Sequence, residues 1–96
     1  MTRNFAVVGS GSIGIGWAIV FARAGKQVKV YDLEQSRLEI FTQGLNERLR
    51  VLHDEGLLDE SIETVFSRIS TSLDLAESLN GAGYIQECAP EQLEIK

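Results

Sequence analysis

The chain has one cysteine, one proline and one histidine, and no lysine between Leu33 and Ile95. Each scarcity removes a class of function. A lone thiol, Cys88, forms no internal disulfide, so a disulfide-stapled secreted scaffold is excluded and a reducing cytoplasm is expected. Its flank Tyr84-Ile85-Gln86-Glu87 reads as a strand, where a single cysteine is a small buried hydrophobe. His53 stands far from Cys88 in sequence, so no metal-ligand spacing exists and no metal is expected. It falls near the end of a long helical stretch, where it meets the helix dipole favourably. No basic run is present either. Residues 1–53 carry 7 Lys/Arg against 4 Asp/Glu, and residues 54–96 carry 2 against 10, which makes the halves +3 and −8. An acidic chain without clustered cations does not displace the counterions of a duplex, so nucleic acid is not an expected partner. A long hydrophobic run is missing as well. The apolar stretch from Phe5 is broken by Gly9, Gly11, Gly14 and Gly16 and closed by Arg23, short of the roughly 20 residues of a membrane span. A secretory signal or a membrane partner is therefore not expected.

What is present is an ordinary globular composition, 44% hydrophobic and 24% charged over 96 residues. That suffices for one domain and not for a complete two-domain enzyme. Phe5-Ala6-Val7-Val8 is short, apolar and followed by glycine, as in a strand buried on both faces. Ile13, Trp17, Val20, Phe21 and Ala24 recur at spacings of three and four and predict the buried face of a helix that stops at Gly25. Gln27 to Asp32 reads as a second strand ending in an acid. Strand, helix and strand together have the size of a βαβ unit and place the chain in the α/β class. Leu38, Phe41, Leu45, Leu49 and Leu52 then form the stripe of a long helix ending near Glu55-Gly56, with Gly44 as an interior weak point. Leu57 to Phe66 predicts a shorter helix whose apolar side is Ile62, Val65 and Phe66. Arg68 to Thr71 is a short strand, Leu75 to Leu79 a short helix and Gly83 to Cys88 a further strand. The acids of residues 54–63 read as a solvated helix surface.

One motif carries chemistry. Gly9-Ser10-Gly11-Ser12-Ile13-Gly14 is a G-x-G-x-x-G that follows a predicted strand and opens a predicted helix. Asp32 closes the next strand, 18 residues after Gly14. In that context Gly9 permits the tight turn, Gly11 lets the backbone approach a pyrophosphate, and Gly14 allows close helix–strand packing. The N–H groups of Ser12, Ile13 and Gly14 at the helix N-terminus would hold the phosphates, and Asp32 would accept from the adenosine ribose hydroxyls. A carboxylate there repels a 2′-phosphate, and no arginine directly follows it, Arg37 being five residues on. NAD is thus the expected cofactor rather than NADP. Gly14 is followed by Ile15 and Gly16 rather than by Lys and Ser/Thr, which excludes a P-loop. A flavin shares the fingerprint and is the weaker reading.

The stretch from Tyr84-Ile85-Gln86-Glu87-Cys88-Ala89-Pro90-Glu91 to Lys96, taken with the glycine loop and Gly16-Trp17-Ala18, resembles the 3-hydroxyacyl-CoA dehydrogenase superfamily over essentially the whole chain. Within it, the wording is nearest the branch that contains L-gulonate 3-dehydrogenase. The resemblance implies a Rossmann-type doubly wound parallel sheet in the order 3-2-1-4 with a helical insertion after strand 2. It implies that Ser12 and Ile13 contact the pyrophosphate, Asp32 the ribose, and Glu91 and Lys96 the cofactor. It also implies that the nicotinamide half, a helical dimerising domain and the catalytic histidine and glutamate lie beyond Lys96, so no catalytic residue maps onto this chain. Acyl-CoA members commonly place lysine after the second strand to meet CoA phosphates. The missing lysines therefore favour a small free hydroxy acid as substrate, with a 3-hydroxyacyl-CoA substrate, or a non-catalytic nucleotide-binding or crystallin-type structural role, as alternatives. A fourth strand without an outer neighbour predicts self-association of the isolated chain.

Overall fold

The computed structural model describes residues 4–88. The elements are β1 (Asn4–Val8), α1 (Ser12–Arg23), β2 (Gln27–Tyr31), α2 (Gln35–Asp54), α3 (Ile62–Ser67), β3 (Ile69–Ser72), α4 (Leu75–Leu79) and β4 (Ala82–Glu87). The four strands make one parallel sheet in the order β3-β2-β1-β4, as expected. Register pairs Val7 with Val30 and Val28 with Ile69, so the β-branched residues of neighbouring strands lie side by side on one face.

Alternation along the strands divides the two layers. Val7, Val28, Val30 and Ile69 point into a core completed by Ile15, Ala18 and Ala22 of α1 and by Phe41, Leu45 and Leu49 of α2. Lys29, between two buried valines, points the other way and meets Glu77 of α4 at 2.6 Å. Helices α1 to α3 thus cover one face, and α4 lies over the other. The long-helix stripe stands as expected: Leu38, Phe41, Leu45 and Leu49 are buried, and Leu52 packs partly against them. Gly44 does not break α2, because it lies against Ile15, whose Cδ1 would stand 2.8 Å from a Cβ placed there.

Two expectations about faces and boundaries are corrected. Helix α1 turns Ile15, Ala18, Ile19, Phe21 and Ala22 inward and leaves Ile13, Val20 and Ala24 exposed, with Trp17 at its boundary stacked on Phe21 at 5.4 Å. The helix is apolar nearly all round, so a spacing of three and four can be drawn on either side. Gly14 selects the side: it packs against the Gly9 carbonyl and Val7, and residues 15, 18 and 22 follow it inward. The other correction concerns α3, which starts at Ile62 rather than Leu57. The Ser61 hydroxyl caps it, accepting from the Thr64 N–H at 3.1 Å. The residues before it are tied as a loop, with the Leu57 carbonyl accepting from Arg23 at 2.7 Å. Glu60 is not merely solvated. It receives both arms of Arg68, at 2.8 and 2.6 Å, while Arg68 also donates to the Ala22 carbonyl at the end of α1.

Among the described residues, β4 pairs only with β1. Tyr84 and Ile85 on this edge are about half exposed, and Tyr84 meets Phe21 of the apolar helix α1 edge-on at 5.6 Å. Open edges beside apolar surface associate. Sedimentation velocity on the isolated chain is expected to show weight-average mass rising with concentration, and a constant monomer would contradict this.

Candidate functional site

The site begins where β1 ends. The Gly9 N–H donates to the Tyr31 carbonyl at 2.8 Å, so the chain leaves the sheet tied to the end of β2. Gly9 and Gly11 have φ of 105° and 35°, backbone that a side chain strains to adopt. A Cβ on Gly14 would overlap the Gly9 carbonyl oxygen, whereas one on Gly11 would meet no atom within 4 Å. Gly14 is therefore a packing glycine, and Gly11 presents bare backbone to open space. The first helical bond runs from the Ile15 N–H to the Gly11 carbonyl at 3.0 Å. Neither a capping side chain nor an acid occupies this N-terminus, unlike α3 and α4, which Ser61 and Asp74 cap. Its first-turn N–H groups and the positive end of its dipole are left for an anion.

Asp32 follows β2 directly and is buried, with 6% of its surface exposed. Its Oδ2 accepts from the Ser10 N–H at 3.0 Å and from the Ser10 hydroxyl at 2.7 Å, and its Oδ1 accepts from the Leu33 N–H at 2.7 Å. Burial pushes this carboxyl up, but the hydroxyl and N–H of Ser10 and the N–H groups of Leu33 and Glu34 outweigh it and hold the group below the ordinary carboxylate range. A depressed folded value contributes stability that is present above the unfolded pKa and lost as pH falls through the folded one. Ser10→Ala removes one of these donors. It is expected to raise the Asp32 pKa and move the acid loss of stability to higher pH, read by carboxyl NMR titration alongside acid unfolding. An unshifted Asp32 titration would remove the Ser10 hydroxyl as a cause.

A cleft of about 280 Å³ joins these parts, lined by Ser10, Gly11, Ser12, Ile13, Asp32, Arg37 and Cys88. Six of the expected binding residues, Gly9, Gly11, Ser12, Ile13, Gly14 and Asp32, thus gather at the carboxyl ends of β1 and β2. Glu91 and Lys96 lie outside the described residues. Three further residues come to the cleft without a sequence signal. Ser10 occupies a variable position of the glycine motif, Arg37 is folded back by the turn into α2, and Cys88 follows β4, its N–H donating to the Val8 carbonyl at 2.7 Å. Burial and then the Glu87 carboxylate push the Cys88 thiol up, away from the reactive thiolate. Among the described residues, no cluster of three His, Cys, Asp or Glu suited to a metal occurs, and no helix is long and apolar enough to cross a membrane.

Open parallel sheets take their ligands at the carboxyl ends of the strands, where the order of strands reverses. The glycine loop and Asp32 meet there, between β1 with β2 on one side and β4 on the other. This is the class of Rossmann-type dinucleotide-binding domains. A family model described as 3-hydroxyacyl-CoA dehydrogenase, NAD binding domain, matches residues 4–96, and the chain belongs to that family. NAD is the dinucleotide of this domain family. The chain is 41% identical over 92 residues to the human lambda-crystallin homolog, covering 94% of this chain and 29% of the relative. It is 36% identical to the 3-hydroxyadipyl-CoA dehydrogenase of Escherichia coli strain K12, covering 98% of this chain and 20% of that one. The crystal structure of 3-hydroxybutyryl-CoA dehydrogenase from Escherichia coli K12 superposes with a TM-score of 0.84 at 33% identity, over 99% of this chain and 20% of the other. The chain therefore spans less than a third of the length of each of these proteins.

Proposed function

We propose that this chain supplies the NAD-binding part of an oxidoreductase that oxidises the 3-hydroxyl of a small hydroxy acid, in the manner of L-gulonate 3-dehydrogenase. The observation that carries the reading is Asp32, a buried carboxylate kept ionised beside a bare, uncapped glycine loop. The residues fit the dinucleotide. Gly9 and Gly11 form a surface without side chains, and Gly14 lets α1 approach. The N–H groups of Ser12, Ile13 and Gly14 face a pyrophosphate, and Asp32 accepts from the adenosine ribose. Glu91 and Lys96 join this set on the family resemblance alone. Bound NAD supplies the acceptor for the substrate's hydride. The chain's own contribution is to bind and orient it.

A small free acid is favoured over a CoA thioester because no lysine occurs between Leu33 and Ile95 and residues 54–96 are strongly acidic. The acyl-CoA reading keeps support from the two bacterial CoA dehydrogenases and from the exposed Arg48 and Arg50 of α2. Lone-thiol usage favours a cytoplasmic location, and the family resemblance favours a homodimer. Titration with NAD and NADH is expected to show saturable binding. NADH formation by the full-length enzyme that contains this NAD-binding part is then expected with L-gulonate and not with 3-hydroxybutyryl-CoA. The opposite preference would reverse the substrate assignment, and no binding of either nucleotide would leave a crystallin-type structural role.

A further inference from the structure

Counted along the sequence, Arg37 stands too far from Asp32 to share its task. Folding removes that separation. The turn between β2 and α2 is three residues long, and the first turn of α2 brings the Arg37 Nε to 3.8 Å from Asp32 Oδ1 and 3.6 Å from Glu34 Oε1. These distances are coulombic contacts rather than hydrogen bonds. Among the described residues the guanidinium makes no hydrogen bond, and the Arg37 backbone N–H donates to the Glu34 carbonyl at 3.1 Å. Its donor fork is therefore uncommitted. It also lines the same cleft as Gly11, Ser12 and Asp32, half exposed against a carboxylate that is almost fully buried.

We propose that Arg37 is a specificity-determining residue of the adenosine-ribose subsite. It weakens the exclusion of a 2′-phosphate by Asp32, and it becomes the receptor for that phosphate once the Asp32 charge is removed. The inference rests on the reading of Asp32 as the ribose acceptor. In the native chain two carboxylates, Asp32 and Glu34, face one guanidinium, so the local charge stays negative and NAD stays preferred. The Asp32 charge is shielded from solvent and strongly felt, while the Arg37 charge is exposed and screened by water and salt. Remove the Asp32 charge and the balance inverts: a planar fork with five N–H donors remains beside the 2′ position, the geometry that phosphate takes best.

The test measures the affinities of the full chain for NAD and NADP, with 5′-AMP and 2′,5′-ADP as probes of the adenosine half alone. Arg37→Ala is expected to lower affinity for the two 2′-phosphorylated ligands, relative to their unphosphorylated partners, by roughly two- to fivefold. Asp32→Ser is expected to raise NADP affinity. Adding Arg37→Ala to it should take away that gain, by about tenfold or more. Arg37→Lys, which keeps the charge and loses the fork, should fall between. A ratio of NADP to NAD affinity that ignores Arg37, or an Asp32→Ser gain that survives Arg37→Ala, would overturn the proposal. Arg37 is on the surface, so its variants decide the question even where Asp32→Ser fails to fold, as circular dichroism would reveal. Failure of the unaltered chain to bind NAD would overturn the proposed function itself, whereas normal NAD binding with Arg37-independent discrimination would overturn only this inference.

Discussion

Gly14→Ala is expected to lower the melting temperature of the domain by roughly 10–20 °C, at about 4–8 °C per kcal/mol for a domain of this size, and to abolish detectable NAD binding. Helix α1 crosses β1 with no space for a methyl group, since a Cβ at this position would overlap the Gly9 carbonyl oxygen and touch a methyl of Val7. The overlapped atom is backbone, so no rotamer change relieves it. Overpacking of this kind costs about 1–3 kcal/mol, and a clash with a carbonyl belongs at the upper end. Relief requires moving either α1 or the Gly9 turn. Moving the helix pulls Ile15, Ala18 and Ala22 from the core, and moving the turn breaks the Gly9 bond to Tyr31 and shifts Ser10 away from Asp32. Thermal denaturation and calorimetric titration separate the two effects. Unchanged stability would show that helix and strand do not meet closely at Gly14. Gly16 is the internal control: a Cβ there meets nothing within 4 Å, so Gly16→Ala is expected to leave the melting temperature unchanged or raise it slightly, because glycine in a helix interior is unfavourable.

Asp32→Ala is the second large effect, and it acts on affinity. A hydrogen bond to a charged group contributes about 1.5–3 kcal/mol, so NAD binding is expected to weaken by roughly 10- to 150-fold. The same substitution strands the Ser10 hydroxyl and N–H and the Leu33 N–H, all of which now donate to this carboxylate. Some loss of stability accompanies the loss of affinity. The pH dependence follows from the direction of the shift. With its pKa held below the ordinary range, Asp32 is ionised throughout the neutral region, so its part in NAD affinity is flat there and falls only in strong acid. Calorimetric titration across pH checks this, and a fall in affinity near neutrality would point to a different group. An affinity unchanged by Asp32→Ala would take Asp32 out of the site.

Much of the site was legible in the linear order of residues because its parts are local. The tight turn, the uncapped helix start and the acid after the second strand all fall within one βαβ unit, where spacing and residue type carry the geometry. The buried face of α2 was equally legible, since its polar residues leave a single apolar stripe. In α1 the same reasoning failed, because Ile13, Trp17 and Val20 on one side are as apolar as Ile15, Ile19 and Ala22 on the other. Only contact with β1 decided between them. The start of α3 was missed for a related reason: Leu57 and Leu58 look helical, but Arg23 and Ser61 hold the chain in other bonds. Glu60 likewise reads as a solvated acid along the chain, and only the fold sets Arg68 against it.

The sequence by itself determined the α/β class, the strand order through its family resemblance, the glycine turn and the identity of the acid. These follow from backbone constraints that a few residues satisfy: positive φ, a missing Cβ, a carboxylate at a strand end. Tertiary structure alone decided which side of α1 is buried, that Ser10 holds Asp32, and that Arg37 stands beside it. Those relations join residues through packing and through turns that fold back on themselves. Neither periodicity nor spacing along the chain encodes them, because the distance that matters is the one in space.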